Sequence, residues 1–304
     1  MPEICLLGTG GMLPLKNRFL TSLYAEYNGK AVLIDCGEGT QVALAQHGIK
    51  ISRIETILIT HCHADHITGL PGLLLSVGNC SRTNPMDIYV PESAETVIRN
   101  LISVCGGLPY EVKVHVLPDR SPTAFTADKI DPMLMISTIP LSHSVNCIGY
   151  KLTLSRKPVF EPEKAKQLDV PVKYWKALHS GLCVELDDGR KISPADVIKQ
   201  QRSPINISYI TDTLPVDGIT DFVRNSDLLV CEGMYGNISK KQSMNEKGHM
   251  LMQDACLIAE NADVKKLWLT HYSPAETSPE DYETELKNIF ENVSVSHDGD
   301  KSLL

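Results

Sequence analysis

Residues 57–70 read Ile57-Leu58-Ile59-Thr60-His61-Cys62-His63-Ala64-Asp65-His66-Ile67-Thr68-Gly69-Leu70. The run Ile57-Leu58-Ile59 has the composition of a buried strand, with no polar alternation. It leads through Thr60 into His61, His63, Asp65 and His66. Neighbouring side chains on a strand point to opposite faces, so a strand cannot present these four together. A tight loop leaving the strand can. Imidazole nitrogens and carboxylate oxygens are ligands for zinc-type divalent metals, and the two pairs, His61/His63 and Asp65/His66, point to two adjacent ions. The chain holds ten histidines in 304 residues, so three beside an aspartate here are poorly explained as a chance polar loop.

Around this loop the pattern alternates between strand and helix. Strands are expected at 3–7, 20–27, 31–35, 56–60, 87–90, 112–117, 133–140, 147–154, 206–211, 227–231, 265–270 and 293–295. Helices are expected at 38–47, 67–78, 92–105, 161–168, 246–262 and 279–291. Hairpins mixed with β-α units favour a layered α/β fold over an all-β sandwich. Gly8-Thr9-Gly10-Gly11 follows a strand, but no helix with dinucleotide-binding spacing comes after it, so it reads as a turn.

The motif of an apolar strand followed by a metal-competent side chain recurs. It is seen in Ile57-Leu58-Ile59-Thr60-His61, Ile139-Pro140-Leu141-Ser142-His143, Tyr209-Ile210-Thr211-Asp212 and Leu267-Trp268-Leu269-Thr270-His271. Ligand sites in open α/β sheets lie at the carboxyl ends of strands. Taken singly, His143 or His271 would more often be a structural histidine and Asp212 a turn former. The repetition favours one shared site. Asp35, which ends Val32-Leu33-Ile34, either orients a ligand histidine or fixes its own turn.

Composition narrows the class. Hydrophobic content of 42% and charged content of 22% are those of an ordinary water-exposed globular protein. No apolar run reaches membrane-spanning length and no basic-then-apolar leader precedes the first strand, so a cytoplasmic location without membrane contact is expected. Nine dispersed cysteines with no C-x-x-C pair read as reduced and buried thiols, and Cys62 as packing. The net charge of −8 argues against a broad nucleic-acid surface. Yet Ser155–Pro204 carries ten Lys and Arg against seven Asp and Glu, leaving 19 against 30 elsewhere. That segment is a polyanion handle or a solvated face.

The T-H-x-H-x-D-H loop, with His143, Asp212 and His271 following in order, resembles that of the metallo-β-lactamase superfamily. Within it, LLGTGG at 6–11, Arg18 with Ser22, IDCGEGTQ at 34–41, DHITGLPGLL at 65–74, SYITDT at 208–213, EKGHM at 246–250 and LWLTHYSP at 267–274 resemble ribonuclease Z. The resemblance covers nearly the whole chain. It implies a four-layer αββα fold over 1–304, one hydrolase domain with an inserted arm at about 155–204. It also implies a cytoplasmic endonuclease that trims the 3′ trailer of precursor tRNA.

Carried over by position, the resemblance implies one ion held by His61, His63 and His143, a second by Asp65, His66 and His271, and Asp212 bridging them. Two Zn2+ per chain are expected from the histidine-rich set, with Mn2+ also fitting such a cage. Such pairs lie about 3.5–4 Å apart and bring a shared water toward ionisation at neutral pH. Asp65 would accept the proton of the nucleophile, and His249, paired with Glu232, would protonate the leaving ribose oxygen. The metal loop alone is shared with lactonases and thioesterases, and the alternative reading is a general phosphodiesterase or a lactone or ester hydrolase on the same dinuclear scaffold. A non-enzymatic RNA-binding protein with a structural metal fits less well, since structural zinc sites close with four protein ligands.

The arm departs from the family. Bacterial relatives carry a Gly/Pro-rich tip that grips the tRNA elbow from the partner subunit of a homodimer. Here the corresponding place reads Asp169-Val170-Pro171-Val172-Lys173-Tyr174-Trp175-Lys176, which either offers charge and stacking through its lysines and aromatics or forms a small hydrophobic knob that packs on a neighbouring subunit. Ser76-Val77-Gly78-Asn79-Cys80 also lacks the arginine-bearing run usual after the first metal helix.

Overall fold

The chain opens with three strands joined by turns, β1 (Glu3–Gly8), β2 (Ser22–Tyr27) and β3 (Lys30–Ile34), in a computed structural model that describes residues 1–200 and 202–304. Asn28 and Gly29 join β2 to β3 with φ of 53° and 79°, the double left-handed turn that suits the twist of a two-residue hairpin. Next come α1 (Thr40–Gln46), β4 (Ile54–Leu58), α2 (Ala64–Ile67), α3 (Leu70–Asn79), β5 (Met86–Pro91), α4 (Glu95–Ser103) and β6 (Val112–Leu117). Strands β3 to β6 run parallel, as crossover connections through helices require.

Strands β7 (Ala124–Thr126), β8 (Leu134–Leu141) and β9 (Cys147–Leu154) begin a second sheet. Residues Leu154–Ile205 form a compact unit of their own. It contains β10 (Val159–Phe160), α5 (Pro162–Gln167), α6 (Val172–His179), β11 (Val184–Glu185), β12 (Lys191–Ile192) and β13 (Ile198–Gln200). Its core is Ala165, Val170, Leu178, Leu186, Ile192 and Val197.

The larger unit, Met1–Thr153 with Asn206–Leu304, is completed by β14 (Ile205–Ile210), α7 (Ile219–Val223), β15 (Leu228–Glu232), α8 (Lys241–Lys247), α9 (Met252–Asn261), β16 (Leu267–Thr270), α10 (Glu283–Lys287), β17 (Val293–Val295) and β18 (Lys301–Leu303). The first sheet has the order β18-β1-β2-β3-β4-β5-β6 and the second β17-β16-β15-β14-β9-β8-β7. Strands β14 to β17 are parallel.

The four layers follow from period-two burial. Cys5, Leu7, Leu33 and Ile57 face the helices of the first half, packed with Leu44, Leu73 and Ile98. Their neighbours Ile4, Leu6, Ile34 and Leu58 are equally buried on the opposite face. In the second sheet Leu229, Cys231, Leu267 and Leu269 pack with Val223, Ala255 and Leu286 of its helices. Both faces of each sheet are therefore covered, which is why these strands are apolar runs rather than alternations. Tyr150 of β9 donates its hydroxyl to Ile59 O at 2.7 Å, and Ile148 N to Thr60 O at 3.1 Å, tying the sheets together beside the histidine loop.

Three expectations change. The helix expected at 246–262 forms only as α9, because Gly248 turns left-handed at φ 74° and Leu251 is extended, and residues 246–247 instead end α8, which begins upstream at Lys241. The helix expected at 279–291 is one tight 3-10 turn followed by the short α10. The expectation also lacked helices α6 and α7, the short strands β7 and β18, and all four strands of Leu154–Ile205.

Candidate metal centre

Every candidate ligand follows the carboxyl end of a strand. The loop after β4 carries His61, His63, Asp65 and His66, the turn after β8 carries His143, the end of β14 carries Asp212, and the end of β16 carries His271. Parallel pairing aligns the ends of β14, β15 and β16, so Asp212, Glu232 and His271 emerge along one edge. Asp35, Asp212 and His271 have φ of 58°, 38° and 61°. Each such backbone costs on the order of 1–3 kcal/mol, and such strain concentrates where side chains must be aimed. Gly11 is small for the same purpose: a Cβ there would stand 2.6 Å from the His271 ring.

The structure brings the expected residues into two clusters. His61, His63, His143 and Asp212 offer one set of ligand atoms, and Asp65, His66 and His271 a second, each within 4.8 Å. His63 Nδ1 lies 3.1 Å from His143 Nε2, and His66 Nε2 lies 3.2 Å from His271 Nε2. Asp212 divides between them. Its Oδ2 is 3.6 Å from both His61 Nε2 and His143 Nε2, while its Oδ1 is 3.2 Å from His66 Nε2 and 3.1 Å from His271 Nε2.

Hydrogen bonds on the outer side of the rings fix their tautomers. His66 Nδ1 faces the Asp35 carboxylate at 2.8 Å and His143 Nδ1 faces Gly248 O at 2.9 Å, so each carries its proton there. Thr60 donates its hydroxyl to Asp35 and accepts from His61 Nδ1 at 3.0 Å. Asp35 thus fills both roles that the sequence left open, orienting histidine and fixing the turn. The three Nε2 atoms turned inward are bare lone pairs that face carboxylate oxygens, and buried His61 Nε2 has no hydrogen-bond partner among the described residues. Lone pairs aimed at carboxylates repel unless cations lie between them, so this donor set fits divalent metal.

Beside the clusters, Glu232 is fully buried and its Oε2 lies 3.1 Å from His249 Nδ1. The Thr213 amide donates to the other oxygen of Glu232. Burial alone would lower the His249 pKa, but the charge and hydrogen bond of Glu232 outweigh it and raise it to about 9. Burial would raise the Asp65 carboxyl, yet its contact with His271 holds it below the usual carboxylate range. A cavity of about 360 Å³ opens over the centre, lined among others by Met12, Met234, Lys247 and His249. Two contributors escape sequence reasoning because they act through backbone: the Met12 amide, which donates to Asp65 Oδ2 at 2.6 Å, and the Gly248 carbonyl. Their only signals are glycine-bearing motifs, GTGG and EKGHM. Cys62 packs against the first core as expected, and all nine thiols are free, though Cys80 and Cys183 are exposed.

Two mixed sheets between helices, with histidines and aspartates gathered at their carboxyl edges, define a metallo-β-lactamase-type metal-dependent hydrolase. The chain is 17% identical to the metallo-β-lactamase fold protein YhfI from Bacillus subtilis, with a TM-score of 0.69 over 99% of this chain and 98% of that one. Human tRNase Z, short form, is 23% identical with a TM-score of 0.68, covering 99% of this chain and 98% of that one. A family model described as Anti-Pycsar protein Apyc1 matches residues 2–138. Ribonuclease Z of Clostridium acetobutylicum is 42% identical over 300 residues, 98% of this chain and 96% of the relative. The chain belongs to the ribonuclease Z family.

Proposed function

We propose that this chain is a zinc-dependent endoribonuclease that cleaves the 3′ trailer from precursor tRNA. The observation that carries the mechanism is the split of Asp212, one oxygen toward each histidine cluster. His61, His63 and His143 would hold one cation, Asp65, His66 and His271 the other, and Asp212 both. The imidazole-rich donor set favours Zn2+, with Mn2+ the second choice. Such a pair supplies Lewis acidity, which offsets charge on phosphoryl oxygens and makes water acidic enough to ionise near neutral pH.

The chain's own groups do the rest. Asp65 lines the cavity as a carboxylate and takes the proton of the attacking water. His249, kept charged by Glu232, gives its Nε2 proton to the ribose 3′ oxygen as the bond to phosphorus breaks. Glu232 and the Thr213 amide hold that imidazole in place. A cytoplasmic homodimer of one hydrolase domain with an inserted arm at about 155–204 is carried over from the family resemblance, and the compact unit Leu154–Ile205 supports the arm. No helix among the described residues is long and apolar enough to cross a membrane.

Turnover on a precursor tRNA with a 3′ trailer, an aryl phosphodiester and a lactone tests this. Accurate trailer removal supports it. Preference for the lactone, or diester cleavage with the precursor left intact, gives the alternative of a general phosphodiesterase or ester hydrolase.

A further inference from the structure

Three consecutive residues at the end of α8 meet the centre. Gly248 O holds His143, and His249 is held by Glu232. Lys247 lines the same cavity and has no part in the chemistry above. It is the one lysine or arginine among the lining residues. Lys241, in the same helix, is held by Asp254 Oδ1 at 3.1 Å, whereas Lys247 has no ion-pair partner among the described residues.

A lysine in the last turn of a helix ordinarily complements the partial charge of the terminal carbonyls. Two of those carbonyls already have backbone partners here. Gly248 N–H bonds to Asn245 O, and His249 N–H to Met244 O at 3.0 Å. The two bonds that anchor Gly248 and His249 to the centre also fix where the Lys247 stem begins, at the rim of the cavity it lines. The cage residues His61, His66 and Asp212 are buried, while Lys247 is exposed. An exposed cation at the mouth meets what lies just outside the cage. On a polynucleotide that is the next phosphate along the strand.

We propose that Lys247 is a positioning residue that binds the phosphate one nucleotide upstream of the scissile bond. The side is set by His249, two residues on, which faces the leaving oxygen of the upstream nucleotide. This rests on the endoribonuclease reading above. Lys247 adds a point charge with three donors, which suits a solvent-facing phosphate without demanding one geometry.

The test pairs Lys247→Ala with a short precursor RNA in which that upstream phosphate is a neutral methylphosphonate. For natural RNA, Lys247→Ala is expected to raise KM about tenfold, the scale of one charge-assisted hydrogen bond, with a smaller change in kcat. The slope of log(kcat/KM) against log[salt] should shallow by about 0.7, one phosphate contact on a single strand. On methylphosphonate RNA, wild type and variant should become alike to within about twofold, because the partner charge is gone. Lys247→Arg should recover most of the loss. On bis(p-nitrophenyl) phosphate, which has a single phosphorus, the variant should lose at least about fivefold less than on RNA. Unchanged KM for natural RNA, penalties that add in full, or equal loss on both substrates would overturn the role of Lys247 alone. A wild type that leaves the natural precursor uncut overturns the endoribonuclease reading, and this proposal with it.

Discussion

Asp35 Oδ2 stands 2.8 Å from Nδ1 of His66, and the same carboxylate accepts the Thr60 hydroxyl that backs His61. One buried carboxylate thereby orients a histidine in each cluster. It is fully buried, it accepts the Thr60 amide at 2.8 Å as well, and its backbone is left-handed. Residues that hold a ligand histidine by its outer nitrogen tune metal affinity without touching metal.

Asp35→Asn should therefore weaken divalent metal binding by about 10- to 100-fold, the usual effect of losing such a partner. The amide can turn its nitrogen toward the protonated Nδ1 of His66 or toward Thr60, but it cannot accept from both sides as the carboxylate does. Calorimetric titration of the metal-stripped protein gives the affinity directly. Wild-type affinity in the variant would show that the ring of His66 is held by packing alone.

The division of Asp212 between clusters makes two substitutions separable. His63→Ala removes a donor from the first cluster only, and should leave one ion per chain after dialysis. Asp212→Ala removes a donor from both and should leave fewer than one. Hydrolysis should be lost in each, as also in Asp65→Ala, with folding retained by circular dichroism. Elemental analysis of the dialysed variants checks the counts. Equal retention of two ions in His63→Ala and Asp212→Ala would dissolve the shared-carboxylate arrangement.

The same geometry explains what could be read without coordinates. His61, His143, Asp212 and His271 were legible because each follows an apolar run, and parallel pairing brings strand ends to one edge. The Met12 amide and the Gly248 carbonyl were not, since backbone atoms leave no residue-type mark. The helix expected at 246–262 failed because Met250, Leu251 and Met252 continue the apolar pattern straight across the break that Gly248 makes. In Leu154–Ile205 the two-residue strands are too short to show a period. There Lys173 and Tyr174, open to either reading of the arm, both contact Asp187, at 2.6 and 2.9 Å, and Trp175 Nε1 donates to Val170 O.

Glu232 and His249 predict a pH effect with a definite sign. An imidazole that serves as a proton donor works below its pKa and fails above it, so a raised pKa of about 9 keeps the donor charged at neutral pH. Cations in the cage would lower that value in wild type and variant alike, so the comparison between them carries the prediction. Glu232→Gln removes the carboxylate charge, lowers the His249 pKa, and should move the alkaline limb of kcat/KM to lower pH. An alkaline limb that stays in place would assign it to another group.

Gly248 joins backbone conformation to the centre, and a pair of alanine variants separates the two. At φ 74° an L-residue costs roughly 1–2 kcal/mol, which Gly248→Ala should show in urea denaturation. Its Cβ would also stand 3.0 Å from His143 Nδ1 and 3.1 Å from His143 Cα, so the ring must give way. Gly29 offers the control: its φ is 79°, and a Cβ there meets nothing within 4 Å. Gly29→Ala should lose similar stability and keep both ions. Gly248→Ala should in addition bind the ion of the His61–His63–His143 cluster more weakly, because the carbonyl that fixes the His143 tautomer has moved. Metal titration of the two variants, side by side with their melts, decides it. If both lose stability and neither loses metal, the Gly248 carbonyl is only a helix cap, and the hold on His143 lies elsewhere.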